Sequence, residues 1–344
     1  MIIFCYLGVA QSPQSLQCRA PNAQINLNEC ISEAVVYCTF CLYSSGTGAA
    51  QAHAVFEALN EWKIADNVVG LCFDTTSSNA GRKSGACILL EHLLGRDLLY
   101  LACRYHILEL VAGSAFTEMM GASSAPEILL FKRFQTKWKC VNHAKFEDSS
   151  TNKLTADAVA DVKENMRAFL TLALVADQTR DAYRELLEIT LIFLGFTPSR
   201  GIRFVAPGAT HQARWMSKII YTFKIWMFRS QFTLTAREEK GLRELCTFFA
   251  RVYVKTWYTA PLPTAAPNND LQLLKSLSAY STINAAISKA ASRKMADHLW
   301  YLSETLVGLA FFDSSVSCEI KDKMVTAMFE VDGEDDSLKR VKIN

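Results

Sequence analysis

The spacing of apolar residues changes repeatedly between residues 49 and 118. Residues 49–62 repeat apolar side chains at helical spacing, which predicts an amphipathic helix. Val68–Phe73 and Leu98–Ala102 are short apolar runs of the length of buried strands, and each is followed by helical spacing, in Arg82–Leu94 and Cys103–Glu118. This strand–helix–strand–helix order predicts an α/β layer with one parallel strand pair.

Helical spacing dominates the chain beyond Phe131. Thr235–Glu238 has the spacing of a capping box, which predicts the start of one helix, and Pro261–Pro267 marks a linker. The predicted helices cover 155–195, 211–258, a segment from about Asp270, and Val316–Phe329. The fold class expected is therefore a small α/β core with a large all-α region, mostly helical overall.

The same patterns divide the chain into five parts. Residues 1–48 have no sustained period and form a divergent segment, and the last residues form a flexible tail. The expected parts are 1–48, the partial α/β core at 49–150, the helical region at 151–299, a return to the core at 300–330, and the tail at 331–344.

Composition narrows the class of protein but not its function. Of 344 residues, 50% are hydrophobic and 20% are charged, which excludes a disordered, collagen-like or coiled-coil chain. The formal net charge of +2 is too small to indicate a partner. Eleven cysteines, an odd number with several inside apolar runs, favour free thiols in a reducing compartment, nuclear or cytoplasmic.

Two alternatives concern the first 48 residues. The apolar opening, residues 1–10, resembles the core of a signal peptide but has no basic residues before it. Cys38 and Cys41 form a CxxC pair without a second pair at zinc-finger spacing. We expect neither a signal peptide nor a zinc site, and no stretch approaches the length of a membrane span.

Asp74 is the first candidate for chemistry. It directly follows the predicted strand Val68–Phe73, and the carboxyl ends of parallel strands are where α/β folds place their sites. A carboxylate there can bind a hard divalent cation through oxygen. The alternative is that Asp74 caps the following turn or helix, since aspartate favours both positions.

Cys103 and His106 come just after the second predicted strand. Three residues apart on a helix, they share a face and could contribute to a metal site, although no further zinc ligands are convincingly spaced. His106 could instead donate a hydrogen bond to a carboxylate. A lone helical histidine is otherwise more often a core residue with satisfied hydrogen bonds.

Residues 200–257 concentrate positive charge. They contain eleven lysines and arginines against three glutamates, a net charge of +8. Aromatic residues lie between the basic ones, and this combination is typical of surfaces that hold phosphates and stack on unpaired bases. The alternative is a buried aromatic stripe with a solvated basic face.

Three motifs together resemble the hAT superfamily of DNA transposases and the transposon-derived proteins related to it. They are Asp74–Gly81 (DTTSSNAG), Cys103–His106 (CRYH) and His211–Trp215 (HQARW), and their order and approximate spacing match over residues 46–330. Members of that superfamily have an RNase H-like core with a DDE carboxylate triad, split by a large helical insertion. The resemblance therefore implies this core for the α/β layer.

The resemblance also implies roles for individual residues. Asp74 would be the second acid of the triad, and Glu304, with Glu319 as second choice, the third acid after the insertion. Cys103 and His106 would be the C-x-x-H pair that supports the acids. Trp215 would stabilise a flipped base, and Arg214 and Lys218 would bind the DNA. Two Mg²⁺ held by three carboxylates would activate water and stabilise the leaving oxygen.

One departure from the superfamily pattern decides the expected activity. The first acid should lie on a strand well upstream of Asp74, but the first aspartate of the chain is Asp66. We therefore expect a transposase-like protein, truncated at its N-terminus and catalytically impaired, that retains DNA binding. The expected partners are DNA and a second copy of the chain, without a membrane.

Two other functions stay open. An active Mg²⁺-dependent transposase or nuclease would require a longer gene product than this chain. A protein-interaction scaffold would use the helical region without any nucleic acid.

Overall fold

A computed structural model describes residues 3–7, 35–38, 46–121, 128–207 and 214–332. Residues 3–7, 35–38, 214–215, 301, 304–305 and 328–332 are described by their backbone alone. The chain forms two compact units. The sheet unit consists of the described residues of Met1–Ile107 and of Trp300–Leu309, and the helical unit consists of Leu108–Leu299 and the described residues from Ala310 onward.

A four-stranded sheet is the centre of the sheet unit. The strands are β1 (Ile3–Leu7), β2 (Val35–Cys38), β3 (Val68–Phe73) and β4 (Leu99–Ala102), in the order β2-β1-β3-β4. Strand β1 is antiparallel to both β2 and β3, whereas β3 and β4 are parallel, with Phe73 opposite Ala102. The predicted parallel pair is confirmed.

Strands β1 and β2 correct the interpretation of residues 1–48. That segment has no sustained period, so no regular strand was expected there, yet two short apolar runs pair beside β3. Strand formation depends on the neighbouring strand more than on intrinsic preference. A pattern confined to the segment therefore does not indicate these strands.

Helices cover the parallel pair. Helix α1 (Gly48–Glu61) packs against α3 (Ala86–Leu94), and their buried side chains join those of β3 in one apolar core. A short helix, α2 (Ser77–Ala80), lies within the predicted turn 75–81. Helix α3 begins four residues later than predicted, because the turn Gly81–Gly85 precedes it.

The chain returns to the sheet unit near its end. The ring of Trp300 stacks on that of Phe73 at a centroid distance of 6.3 Å, and Tyr100 meets the same Phe73 ring edge-on at 5.4 Å. Helix α14 (Glu304–Val307) follows and packs against β4. Helix α4 (Arg104–Met120) begins directly after β4, and its residues from Leu108 belong to the helical unit.

The helical unit contains no strand among the residues that the structure describes, so the predicted all-α region is confirmed. The predicted helix 155–195 is divided into three helices by turns at 160–162 and 174–180. The predicted helix 211–258 is divided into several segments, with the main interruption at 228–235. The capping box of Thr235 and Glu238 is confirmed at the start of the helix Ala236–Phe248. Besides most of α4, the helical unit contains α5 (Leu129–Lys137), α6 (Lys153–Val159), α7 (Lys163–Ala173), α8 (Asp181–Phe193), α9 (Arg214–Met227), α10 (Ala236–Phe248), α11 (Val254–Tyr258), α12 (Ala266–Tyr280), α13 (Ala285–Ala296) and α15 (Cys318–Asp332). A π-helical segment, Phe249–Tyr253, lies between α10 and α11.

Candidate functional site

Asp74 lies at the carboxyl end of β3, at the first position after the strand. Its Oδ1 accepts hydrogen bonds from the main-chain nitrogen of Thr76 at 3.2 Å, from the Thr76 hydroxyl at 2.6 Å and from Asn79 Nδ2 at 2.6 Å. The bond from the Thr76 nitrogen is an Asx turn, so Asp74 does cap the following turn. Its Oδ2 accepts no hydrogen bond within the described part of the chain and leaves one oxygen for a ligand.

The loop that follows Asp74 is packed backbone against backbone. A Cβ added to Gly48, the first residue of α1, would meet the carbonyl oxygen of Ser84, and that of Ser78 at 2.8 Å. A Cβ added to Gly85 would meet the carbonyl oxygen of Asn79 at 2.6 Å. Real Cβ atoms do not approach this closely, so only glycine fits at these two positions.

Cys103 is held next to Asp74 by the sheet. Its main-chain nitrogen donates to the Phe73 carbonyl at 2.7 Å, which extends the parallel pairing by one residue. Burial raises the pKa of the Cys103 thiol, and hydrogen bonds from the backbone nitrogens of His106 and Tyr105 oppose that rise. The thiol therefore caps the first turn of α4, and His106 lies in that turn, partly buried.

The neighbouring thiols are also protonated at neutral pH. Burial, with a smaller contribution from Cys103, raises the pKa of Cys72 to about 12. Burial also raises the pKa of Cys87, with added repulsion from Glu91. Each of these three thiols would have to lose its proton to bind a metal. They are free, as are the other cysteines of the described side chains.

The two candidates for the third acid lie in different units. Glu304 begins α14, which packs against β4, and so belongs to the sheet unit with Asp74. Glu319 belongs to the helical unit, where its exposed carboxylate pairs with Lys323 at 2.7 Å on α15. Glu304 thus shares a compact unit with Asp74, whereas Glu319 belongs to the other unit.

A cation would find one described ligand at this site. Asp74 offers the free oxygen of a partly exposed carboxylate, which fits Mg²⁺, a cation that prefers oxygen and keeps several waters. No group of three or more histidine, cysteine, aspartate or glutamate side chains that could hold a metal occurs among the described side chains. Glu304 is not covered by this statement, because its side chain lies outside the described residues.

The basic segment is divided between surface and core. Tyr221, Trp226 and Phe228 are buried, so none of these three rings is available to stack on a base. Lys224 is buried as well, where it forms an ion pair with Glu185 and donates to the Val205 carbonyl at 2.6 Å. The alternative of a buried aromatic stripe is thus correct for these residues, and part of the positive charge is internal.

The residues expected on DNA lie at the start of α9. Arg214 and Trp215 begin the helix and are described by their backbone alone. Lys218, one turn later, is partly exposed, with its ammonium 6.0 Å from the centre of the Phe116 ring. The flanking His211, Cys41 of the CxxC pair and the tail from 333 lie outside the described residues.

Asn79 is a site residue that the sequence analysis did not single out. It is fully buried and binds Asp74, five residues before it. An asparagine in a turn-rich stretch such as DTTSSNAG usually indicates a turn. The one sequence signal for Asn79 is its position within the DTTSSNAG motif. No sequence pattern distinguishes a buried asparagine from an exposed one.

Compared with known proteins, the chain matches no family model, no curated protein and no solved structure. Within the described residues, every helix is too short or too polar to cross a membrane.

Proposed function

We propose that the chain is a transposase-derived protein of the hAT type that binds DNA and is impaired in phosphodiester cleavage. The observation that carries this proposal is the path of the chain. An α/β unit with Asp74 at the end of β3 is interrupted by a large helical unit, and Trp300–Leu309 then returns to the first unit with Glu304. A split RNase H-like core has this organisation.

The acids of such a core would act through bound metal. Asp74 and Glu304 would hold Mg²⁺, which activates water and stabilises the leaving oxygen in phosphodiester cleavage. Cys103 and His106, at the start of α4, would support Asp74 from the adjoining strand end. Strand β1 pairs with β3 on the side away from β4. Its residues IFCYL include no carboxylate, and this composition supports impaired cleavage.

DNA contact is assigned to the start of α9. Arg214 and Lys218 would neutralise phosphates, and Trp215 would stack on an unpaired base, since the other aromatic residues of α9 named above are buried. Each phosphate contact releases counterions, so affinity falls steeply as salt rises. A second copy of the chain remains a proposed partner.

Charge reversal tests the DNA interface. The variant R214E/K218E should bind a DNA duplex at least tenfold more weakly than the unmodified chain. Its log–log salt slope should be lower by about two, because about one unit is lost per phosphate contact. Fluorescence anisotropy between low and moderate salt measures both quantities.

The matched control is K289E/R293E, which reverses two charges at the same spacing on α13 of the same unit. It should leave binding unchanged. Equal losses in both variants would contradict an interface at α9. Absence of DNA retention at low salt, together with capture of a protein partner, would favour the interaction-scaffold function instead.

An active Mg²⁺-dependent nuclease or transposase is the second candidate, favoured by the free Oδ2 of Asp74 and by Glu304 in the same unit. It predicts nicking of supercoiled DNA in Mg²⁺ or Mn²⁺ that Asp74→Ala abolishes. Asp66→Ala, which removes another exposed carboxylate of the sheet unit, should retain it. Absence of nicking by the unmodified chain would reject this candidate and agree with impaired cleavage.

A further inference from the structure

Asn79 directs its amide nitrogen entirely at Asp74. Asn79 Nδ2 lies 2.6 Å from Asp74 Oδ1 and 3.3 Å from the Asp74 carbonyl oxygen. An asparagine amide carries two protons, which is enough to serve both oxygens. The Asn79 amide thus binds both the side chain and the main chain of Asp74.

These bonds make the Asp74 carboxylate one-sided. Oδ1 accepts three hydrogen bonds, whereas Oδ2 accepts none within the described part of the chain. Because the donors come from Thr76 and Asn79 on the same short loop, rotation of the carboxylate would break all three. The orientation of Oδ2 is therefore determined by Oδ1.

A turn alone does not require Asn79. The Asx turn needs only the bond from the Thr76 nitrogen. Asn79 is fully buried, and its Oδ1 has no hydrogen-bond partner in the described structure. A buried acceptor without a partner is unusual in native proteins and calls for an explanation. Holding Asp74 is the function that the geometry offers.

The main chain of Asn79 is held as firmly as its side chain. The Asn79 nitrogen donates to the Thr76 carbonyl at 3.0 Å, and Gly85 packs so close to the Asn79 carbonyl oxygen that a Cβ on Gly85 would lie 2.6 Å from it. The donor is consequently preorganised before any ligand binds, as a group that orients a metal ligand should be.

We infer that Asn79 is a positioning residue for Asp74. Asn79 holds Oδ1 of Asp74, so that only Oδ2 of Asp74 is available to a hard divalent cation. The inference rests on the proposed role of Asp74 as an acid of an RNase H-like site. It adds a residue that acts through Asp74 rather than on substrate.

Binding of Mn²⁺ to the full chain, measured by electron paramagnetic resonance, tests the inference without any catalytic activity. Asp74→Ala should abolish the site. Asn79→Ala should weaken Mn²⁺ binding about 10- to 100-fold, the usual effect of losing a residue that orients a metal ligand. The control Asn60→Ala removes an exposed asparagine that donates to Phe56 and should change nothing.

Thr76→Val provides an independent variant if Asn79→Ala does not melt cooperatively. Thr76 is exposed and valine has nearly the same shape, so the variant removes only the contacts of the Thr76 hydroxyl with Asp74 Oδ1 at 2.6 Å and with the Ser78 hydroxyl at 3.2 Å. We expect Mn²⁺ affinity to fall several-fold, less than for Asn79→Ala, because two donors remain. Thr136→Val, which removes an exposed hydroxyl bonded to Lys132, is its control and should bind Mn²⁺ normally.

The outcomes separate the two proposals. If Mn²⁺ binding depends on Asp74 but is unchanged in folded Asn79→Ala and in Thr76→Val, the positioning role is overturned while Asp74 keeps its proposed role. If the unmodified chain and Asp74→Ala bind Mn²⁺ alike, or neither binds it, the metal role of Asp74 fails and the inference falls with it.

Discussion

Lys224 shows at the residue scale how environment changes the meaning of a charge. Its side chain has no exposed surface, its ammonium pairs with Glu185, and the Trp138 ring lies 5.5 Å from it. Burial lowers the pKa of Lys224 and raises that of Glu185, while their mutual attraction opposes both shifts. In sequence, this lysine is indistinguishable from a DNA-binding one.

The Lys224–Glu185 pair predicts a non-additive effect on stability. Lys224→Met leaves Glu185 buried without its partner, and should lower the free energy of unfolding by about 3–5 kcal/mol. The double variant K224M/E185L removes both charges and should recover most of that loss, because apolar replacements of buried pairs are often neutral. Urea denaturation measures the free energy of unfolding of both variants. A double variant that is less stable than Lys224→Met, by the loss that Glu185→Leu causes alone, would argue against a buried ion pair.

Glycine has two different roles at the residue scale. At Gly48 a Cβ would meet backbone atoms of the Asp74 loop, whereas at Gly113, inside α4, it would meet nothing within 4 Å. Gly48→Ala should therefore destabilise by about 1–3 kcal/mol through overpacking. Gly113→Ala should stabilise by about 0.5–1 kcal/mol, because alanine loses less backbone entropy in a helix.

Thermal unfolding of the two alanine variants provides the measurement, with each as the control of the other. Stabilisation by both substitutions would show that the contacts around Gly48 leave room for a Cβ.

At the element scale, Arg251 connects segments far apart in sequence. It lies in the π-helical segment and donates to the Ala158 carbonyl at 2.5 Å and to both carboxylate oxygens of Asp161, with Nη2 to Oδ2 at 2.8 Å. Asp161 lies in the turn between α6 and α7. One guanidinium thus fixes the end of α6 and the turn after it.

The Arg251–Asp161 pair predicts a pH dependence. The hydrogen bonds from Arg251 lower the pKa of Asp161, so the charged pair stabilises the fold above the unfolded-state pKa of about 3.9. That contribution is lost as the pH falls through the lower, folded-state pKa. Asp161→Asn should therefore lower the melting temperature at pH 6–7, and the difference should vanish in strong acid.

The control is Asp157→Asn, an exposed aspartate one turn earlier on α6. Melting curves at several pH values should show little difference between this variant and the unmodified chain. A deficit of Asp161→Asn that persists in strong acid would mean that the carboxylate charge is not responsible.

At the scale of the whole molecule, the division into two units matters more than any single helix. The sheet unit is built from the described residues up to Ile107 and from Trp300–Leu309. The helical unit takes the residues between these two segments and the described residues from Ala310 onward. Each has its own buried thiol, Cys87 in the first and Cys246 in the second. A chain of this kind need not unfold in one step.

The two buried thiols make this division testable. Gly48→Ala should accelerate chemical labelling of Cys87 more than that of Cys246, and Lys224→Met should do the reverse, because each variant disturbs one unit. Pulsed thiol labelling with mass spectrometry measures both rates in one sample. Equal acceleration of the two thiols by either variant would show that the units open together.

The sequence by itself determined the features that depend on near neighbours. The strands after residue 67, the helices beside them and the capping box at Thr235 follow from apolar spacing and from polar groups within one turn. The position of Asp74 at a strand end was determined in the same way.

Only the tertiary structure decided which groups are buried and which distant ones meet. The pairing of β1 with β3, the burial of Asn79 and Lys224, and the contact of Arg251 with Asp161, 90 residues away, leave no local pattern. The physical reason is that burial and pairing are properties of the surrounding fold. A lysine or an asparagine has the same neighbours in sequence whether the fold encloses it or exposes it.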